Sequence, residues 1–268
     1  GDQSLDEDQQ LSLPISYTDY DGDTLSVTVT SSENNVSVSL DGSSLNISST
    51  SNFNGSSVIT VTVAESGGEY ETSESFDITV NPVNDAPAMV TISNVTTLEE
   101  TETTVMLNAS DIDGDMNFSF SAESSSDLFT INVSGATLTV NPLLDKVGTG
   151  SITVTANDGN LNSASISFNV TIDNVNDVPV FSSIENPDAV AEDGENIVVS
   201  LSATDVDGDA VSFTVEAENS ELFETTSVNG NTITLNPIEN AFGSSIINVF
   251  ASDGTATVTG QFSVEVSA

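Results

Sequence analysis

The sequence predicts an all-β protein made of three tandem, seven-stranded antiparallel Greek-key β-sandwiches set end to end. Three observations predict it. Apolar and polar residues alternate with a period of two, one set of motifs returns at a near-constant spacing, and no window carries a helical apolar stripe. The acidic loop Asp-x-Asp-Gly-Asp opens at Asp19, Asp111 and Asp205, spacings of 92 (111 − 19) and 94 (205 − 111) residues. Such a period is too long for a solenoid turn and suits one small domain.

The strands follow from the alternation. Leu25, Val27 and Val29 mark one in the first repeat. In the second, Ile152, Val154 and Ala156 mark one, and Ala164, Ile166, Phe168, Val170 and Ile172 mark the next. Val211, Phe213, Val215 and Ala217 do so in the third. Each has one face for a core and one for water. Roughly seven such runs per repeat, divided by Gly, Asn, Asp and Ser turns, argue for a sandwich. Phe76, Phe168 and Phe262 fall in register and are core candidates. Between repeats stand Val83-Asn84-Asp85-Ala86-Pro87 and Val175-Asn176-Asp177-Val178-Pro179. Proline there cannot join a central ladder and keeps its neighbour extended, so these are linkers. The expected domains are 1–84, 85–176 and 177–268.

Composition narrows the function classes. Among 268 residues, 42 are Asp or Glu against one basic residue, Lys146, with no His and a net charge of −41. Phosphate neutralisation needs Lys and Arg, so nucleic acid and anionic membranes are excluded as partners. Cation binding is favoured. Disorder is not, because 37% of residues are hydrophobic and 12 are Phe. Cysteine is absent, which leaves metal as the staple for small cores. No stretch approaches the roughly 18 apolar residues of a membrane span. The chain reads as an excised segment of a longer protein.

The acids recur in register. Glu7-Asp8, Glu99-Glu100 and Glu192-Asp193 precede the first loop Asp by 12 (19 − 7), 12 (111 − 99) and 13 (205 − 192) residues. Asp-Gly turns follow at Asp158 and Asp253, with Ser66-Gly67 in the first repeat. Two carboxylates about 5 Å apart repel by roughly 3 kcal/mol at an effective dielectric near 20, so pooled acids call for a cation. Oxygen ligands without His or Cys exclude the usual zinc and copper sites. Calcium accepts six to eight irregular oxygens where magnesium wants a small octahedron. Each motif also has a plainer reading: a solvated acidic turn, a charged guard on a sheet edge, or a hairpin turn. Recurrence of matching acids favours calcium. Asn84 and Asn176 either ligate or shape the linker.

The acid pair, the Asp-x-Asp-Gly-Asp loop, the Asp-Gly turn and the Val-Asn-Asp-x-Pro linker together resemble the cadherin superfamily. The closer likeness is to the bacterial cadherin-like repeats of large calcium-dependent surface adhesins, and Asn52-Phe53-Asn54-Gly55 looks like the bacterial form. The resemblance covers the whole chain and implies a cadherin/Ig-like sandwich with calcium held between consecutive repeats. It implies Glu7, Asp8, Asn84, Asp85, Asp111, Asp113 and Asp158 as the first ligand set. The second set is Glu99, Glu100, Asp173, Asn176, Asp177, Asp205, Asp207 and Asp253. Asp173 matches an acid six residues before the linker proline; the first linker has Asn81 there, which implies fewer or weaker ions. Asp19, Asp21 and Asp23, and Glu192 with Asp193, form half-sites to be completed by adjacent cadherin-like repeats of the parent chain.

The expected function is a calcium-rigidified extender of an extracellular, cell-surface bacterial adhesin, serving cell adhesion or biofilm attachment. The alternative is a binding module making weak homophilic or polysaccharide contacts. Absence of Trp and a count of three Tyr weaken the carbohydrate version. Catalysis is not expected, since the acids are spaced for chelation and His, Cys and Arg are missing.

Overall fold

Alternation in the sequence becomes alternation across the sheets, as in Gly148–Asn157, where Ile152, Val154 and Ala156 are buried and the intervening threonines are not. The computed structural model describes residues 1–66 and 70–268; Gly67, expected in a turn with Ser66, lies outside the described residues. The first repeat carries β1 (Gln3–Asp6), β2 (Gln10–Pro14), β3 (Leu25–Ser31), β4 (Val36–Asp41), β5 (Ser44–Ser49), β6 (Gly55–Glu65) and β7 (Glu71–Asn81). They form the sheets β1-β7-β6-β3 and β2-β5-β4.

The second repeat carries β8 (Ala88–Met89), β9 (Val95–Leu98), β10 (Thr103–Met106), β11 (Ala109–Ser110), β12 (Ser119–Ser124), β13 (Phe129–Ser134), β14 (Thr137–Pro142), β15 (Gly148–Asn157) and β16 (Ile166–Asp173). The third carries β17 (Val180–Phe181), β18 (Val190–Ala191), β19 (Ile197–Ser200), β20 (Ala203–Thr204), β21 (Ser212–Ala217), β22 (Phe223–Asn229), β23 (Thr232–Pro237), β24 (Gly243–Ser252) and β25 (Thr257–Ser267). Their sheet orders match the first repeat: β9-β16-β15-β12 with β10-β14-β13, and β18-β25-β24-β21 with β19-β23-β22. Two short pairs are added, β8 with β11 and β17 with β20.

One pair per repeat departs from the antiparallel expectation. β1 runs parallel to β7, β9 to β16 and β18 to β25. A period of two tells which face a residue takes, not which way its neighbour runs. The parallel pairing positions the acids: β1 and β7 point the same way, so Glu7 emerges beside the residues that leave β7 for the linker.

The chain divides into two compact units, residues 1–91 with 107–121 and 154–166, and residues 92–106 with 122–153 and 167–268. In the first, Leu5, Val36, Leu45, Ile47, Ile59, Ile78 and Val80 form one core. In the second, Ile197, Leu201, Ile233, Leu235, Ile247, Val249 and Phe262 are among the residues of another. Among the described residues, no helix is long and apolar enough to cross a membrane.

Candidate metal centres

Within the first unit, Glu7 is 3% exposed despite its charge. Its backbone N–H donates to the Asn81 carbonyl (3.0 Å), and its Oε1 accepts from the Val83 N–H (2.6 Å). The acid thus clasps the linker as it leaves β7. The Asp111 loop turns on itself through Asp113 N–H to Asp111 Oδ1 (2.8 Å), with Gly114 at φ 88°, a left-handed value that glycine adopts without strain. Asp113 Oδ2 in turn accepts from the Asp85 N–H (2.7 Å). One carboxylate oxygen each from Glu7, Asp85 and Asp113 then lie within 4.8 Å of one another.

Among the described residues, Asp85 Oδ2 of this group and Asp111 Oδ2 of the adjoining loop are buried without a hydrogen-bond partner. A buried carboxylate oxygen with nothing to bind is costly, and hard cations are among the groups that satisfy such an oxygen. Burial pushes the Asp85 carboxyl above the usual range, and the charges of Asp113, Asp8, Glu7 and Asp111 push it further.

Asp158 is differently placed. Its Oδ1 accepts from the N–H groups of Asn160 (2.6 Å) and Leu161 (2.7 Å), and its Oδ2 from Asn84 Nδ2 (2.9 Å). The Leu161 N–H, then the Asn84 amide and the Asn160 N–H, hold its pKa below the ordinary value. The Asn84 amide also donates to the Asp85 carbonyl (2.7 Å) and accepts from Asn160 Nδ2 (2.9 Å). Asn84 therefore braces linker against loop. Asp8 faces its own repeat, its Oδ1 accepting from Ser51 Oγ (2.9 Å) and the Asn52 N–H (3.3 Å).

The second unit repeats the arrangement. Glu99 is 4% exposed and accepts from the Val175 N–H (2.7 Å). The Asp177 N–H donates to Asp207 Oδ2 (2.7 Å), and the Asp207 N–H to Asp205 Oδ1 (3.0 Å). Asn176 Nδ2 binds Asp253 Oδ2 (3.0 Å) and the Asp177 carbonyl (2.6 Å). Asp253 Oδ1 accepts from Thr255 and Ala256, each at 2.6 Å. Those contacts, the Ala256 N–H first and the Asn176 amide next, hold the Asp253 carboxyl low. Asp205 Oδ2 is again buried and unpartnered. Burial, then Asp145, Asp207, Glu99 and Asp205, raise the Asp177 carboxyl.

Asp145 is not singled out by any sequence motif, yet its carboxylate converges with those of Glu99 and Asp177. It sits at φ 54° three residues before Gly148, where the other repeats have Asn52 before Gly55 and Asn240 before Gly243, at φ 56° and 61°. Alignment of those loops carries the signal for it: two Asn and one Asp at a left-handed position. Asp173 and Glu100 lie outside the converging group. Asp173 supplies its backbone carbonyl to the Glu99 N–H (3.0 Å) with its side chain exposed; Glu100 is exposed at φ 57°.

In the first loop, Asp19 Oδ1 accepts from the N–H groups of Asp21 (3.1 Å), Gly22 (2.8 Å) and Asp23 (3.0 Å), and the Asp23 bond leads in lowering its pKa. Asp19, Asp21 and Asp23 converge, as do Asp205, Asp207 and Asp209. The strand register places Glu65, not Ser66, at the position of the Asp-Gly aspartate. Ser26 Oγ binds the Ala64 carbonyl as Ser119 binds Asn157 and Ser212 binds Ser252, so the next residues, Glu65, Asp158 and Asp253, correspond. Burial first, then Asp23, Asp19 and Asp21, raise the Glu65 carboxyl. At the third repeat, the Glu192 N–H meets the Ser267 carbonyl (2.8 Å), as Glu7 meets Asn81.

The model of a family described as Bacterial Ig domain matches residues 1–80 and 84–171. No curated protein matches the chain. Among solved structures, mouse protocadherin-24 EC1-3 is similar with a TM-score of 0.56 and 16% identity, covering 100% of this chain and 96% of that one. The protocadherin GammaB4 extracellular domain gives 0.54 and 17%, covering 99% of this chain and 47% of that one. Human protocadherin-24 EC1-2 gives 0.50 and 18%, covering 69% and 99%. At such identity the likeness concerns the fold alone. The chain belongs to the bacterial Ig domain family, as a tandem of Ig-like repeats with a cadherin-like fold.

Proposed function

We propose that the chain is a calcium-binding extender of an extracellular adhesion protein, with repeats at 1–84, 85–176 and 177–268. The ions are held by Glu7, Asp85, Asp111 and Asp113, and by Glu99, Asp145, Asp177, Asp205 and Asp207. The observation that carries this reading is the set of buried, unpartnered oxygens Asp85 Oδ2, Asp111 Oδ2 and Asp205 Oδ2 amid converging acids. Asn84 and Asn176 brace the frame, while Asp158 and Asp253 are already anchored by N–H groups. Calcium cancels the repulsion that otherwise loosens each linker, and so stiffens the array. Extracellular modules of this kind bind calcium at about 10⁻⁴–10⁻³ M.

The test combines a calorimetric calcium titration with X-ray scattering in calcium and in chelator. Saturable binding with a longer maximum dimension in calcium is expected. Binding without any change in dimension would sink the extender mechanism, and no binding would sink the calcium reading. A second reading, a binding module for polysaccharide, has one observation behind it: Tyr17, Tyr20 and Tyr70 are all exposed in the first repeat. Aromatic faces in water suit sugar stacking, and retention on a polysaccharide column that Tyr20→Ala abolishes would favour it.

A further inference from the structure

The outer face of the four-stranded sheet is built differently in the third repeat. In the first two repeats that face carries a ladder of paired hydroxyls. Thr60 Oγ1 meets Ser75 Oγ and Thr62 Oγ1 meets Ser73 Oγ, each at 2.9 Å. Thr153 meets Ser167 and Thr155 meets Ser165 at the same 2.9 Å. Such cross-strand pairs bond to each other and support the sheet. Ala64, Asn157 and Ser252 correspond, as do Phe76, Phe168 and Phe262, and this sets the third repeat in register. Asn248 then stands where the ladder has Thr60 and Thr153, Phe250 where it has Thr62 and Thr155, and Gln261 where it has Ser75 and Ser167.

Phe250 lies on the water side of β24. Val249 and Ala251 on either side of it are fully buried, while its own ring is partly exposed and outside the core beneath. Strand register sets it between Thr214 and Thr259, and two residues earlier sets Asn248 between Glu216 and Gln261. Among the described residues, neither amide joins the side-chain hydrogen bonds of this sheet, such as those of Ser212, Ser245 and Ser252. Two residues earlier again stands Ile246, 37% exposed and opposite Ser263. There the face dips into a cavity of about 370 Å³ lined by Glu218, Asn219, Ser244, Ser245, Ile246 and Ser263. The Glu218 N–H donates to the Ile246 carbonyl (2.9 Å) and the Asn219 N–H to Ser245 Oγ (3.0 Å), which holds the cavity wall in place.

A lone surface phenylalanine is ordinary. This one continues along a single strand into two unengaged carboxamides, an exposed isoleucine and a polar cavity. Four residues of strand separate Phe250 from Ile246, roughly 13 Å, so the site is long rather than round. We infer that this face binds a polysaccharide of uncharged pyranose sugars, laid along β24. A pyranose ring offers an apolar C–H face to Phe250 and hydroxyls that donate and accept, as the Asn248 and Gln261 carboxamides do. Glu216, Glu218 and Glu265 edge the face, and their charge turns away uronate and sulfated glycans. A basic peptide would meet carboxylates over all of a chain with net charge −41, whereas the ring with its paired amides belongs to this one of the three outer faces. The site is separate from the exposed tyrosines of the first repeat and from both metal centres.

The test is native affinity electrophoresis of the full chain through gels holding laminarin, hydroxyethylcellulose or glucomannan, with alginate as the anionic control. Retardation by at least one neutral polysaccharide and not by alginate is expected. Phe250→Thr and Gln261→Ser install the residues that the second repeat already carries in a folded sheet. Phe250→Thr is expected to weaken the retardation by about tenfold or more, and Gln261→Ser by less. Tyr20→Ala is expected to leave it unchanged. No retardation in any of the neutral gels, equal retardation of the wild type and Phe250→Thr, or loss in Tyr20→Ala alone would overturn the proposal. A mobility shift with oligolysine that Phe250→Thr weakens, without retardation in the neutral gels, would assign the face to a basic peptide instead.

Discussion

Glu99 offers the sharpest separation of metal binding from architecture, because it has two jobs that one substitution pair can divide. Its Oε1 accepts from the Val175 N–H at 2.7 Å, and its carboxylate faces Asp145 and Asp177. Glu99→Ala removes both roles; the lost charge-assisted bond alone costs about 1.5–3 kcal/mol. Glu99→Gln keeps an acceptor for Val175 but removes the charge. With calcium at 100 times its dissociation constant, binding stabilises the native state by about 2.7 kcal/mol. For a repeat of this size that is an upward shift in Tm of roughly 10–20 °C, at about 4–8 °C per kcal/mol. A hundredfold weaker site leaves about 0.4 kcal/mol, a shift of a few degrees. Calorimetric scans of the wild type and both variants, in chelator and in calcium, give the comparison. Glu99→Gln is expected to unfold near the wild type in chelator and to lose most of its calcium-induced shift, whereas Glu99→Ala falls in both. A full calcium shift in Glu99→Gln would refute ligation and leave Glu99 as a linker clasp only.

Asp145→Asn should weaken the calcium centre of the second unit and spare that of the first, since Asn holds the left-handed φ as well as Asp; equal loss at both centres in a calcium titration would contradict this. Acidity should act in two directions on the calcium-free protein. The raised carboxyls of Asp85 and Asp177 bind a proton more tightly folded than unfolded, so stability rises as pH falls from neutral through their titration. Below the ordinary value of 3.8 the contribution of the lowered Asp158 and Asp253 carboxyls is lost. Urea midpoints in chelator are expected to pass through a maximum in mildly acidic buffer, and a steady fall from neutral pH downward would show the sign to be wrong.

The sequence makes the three-fold repeat and its strand faces legible because side-chain alternation is local. Ile152, Val154 and Ala156 declare their buried face without reference to anything distant. The acids Glu7, Asp85 and Asp113 are likewise visible, since each recurs in a motif. Asp145 is not, because it joins Glu99 and Asp177 only through the packing of one loop against another. Glu65 is hidden by a one-residue difference in its hairpin, which strand register reveals and motif matching does not. Asp8, Glu100 and Asp173 lie outside the converging carboxylates, Asp8 and Glu100 in left-handed turns and Asp173 at the end of β16, a placement that no motif spacing reveals. The parallel entry strands escape the sequence for a related reason: a four-residue alternation is the same read in either direction.

Those parallel strands also decide how a repeat bears tension. With β1 beside β7 and pointing the same way, a pull on the leading end of β1 and the trailing end of β7 slides one strand along the other. The rungs at Gln3↔Ile78, Ser4↔Thr79, Leu5↔Val80 and Asp6↔Asn81 are then loaded together instead of being peeled in turn. The matching contact between β9 and β16 also has four rungs, from Val95↔Val170 to Asp173↔Leu98, while that between β18 and β25 has only Val190↔Val266 and Ala191↔Ser267. Under traction the third repeat, with the shorter shear clamp, is expected to yield before the other two.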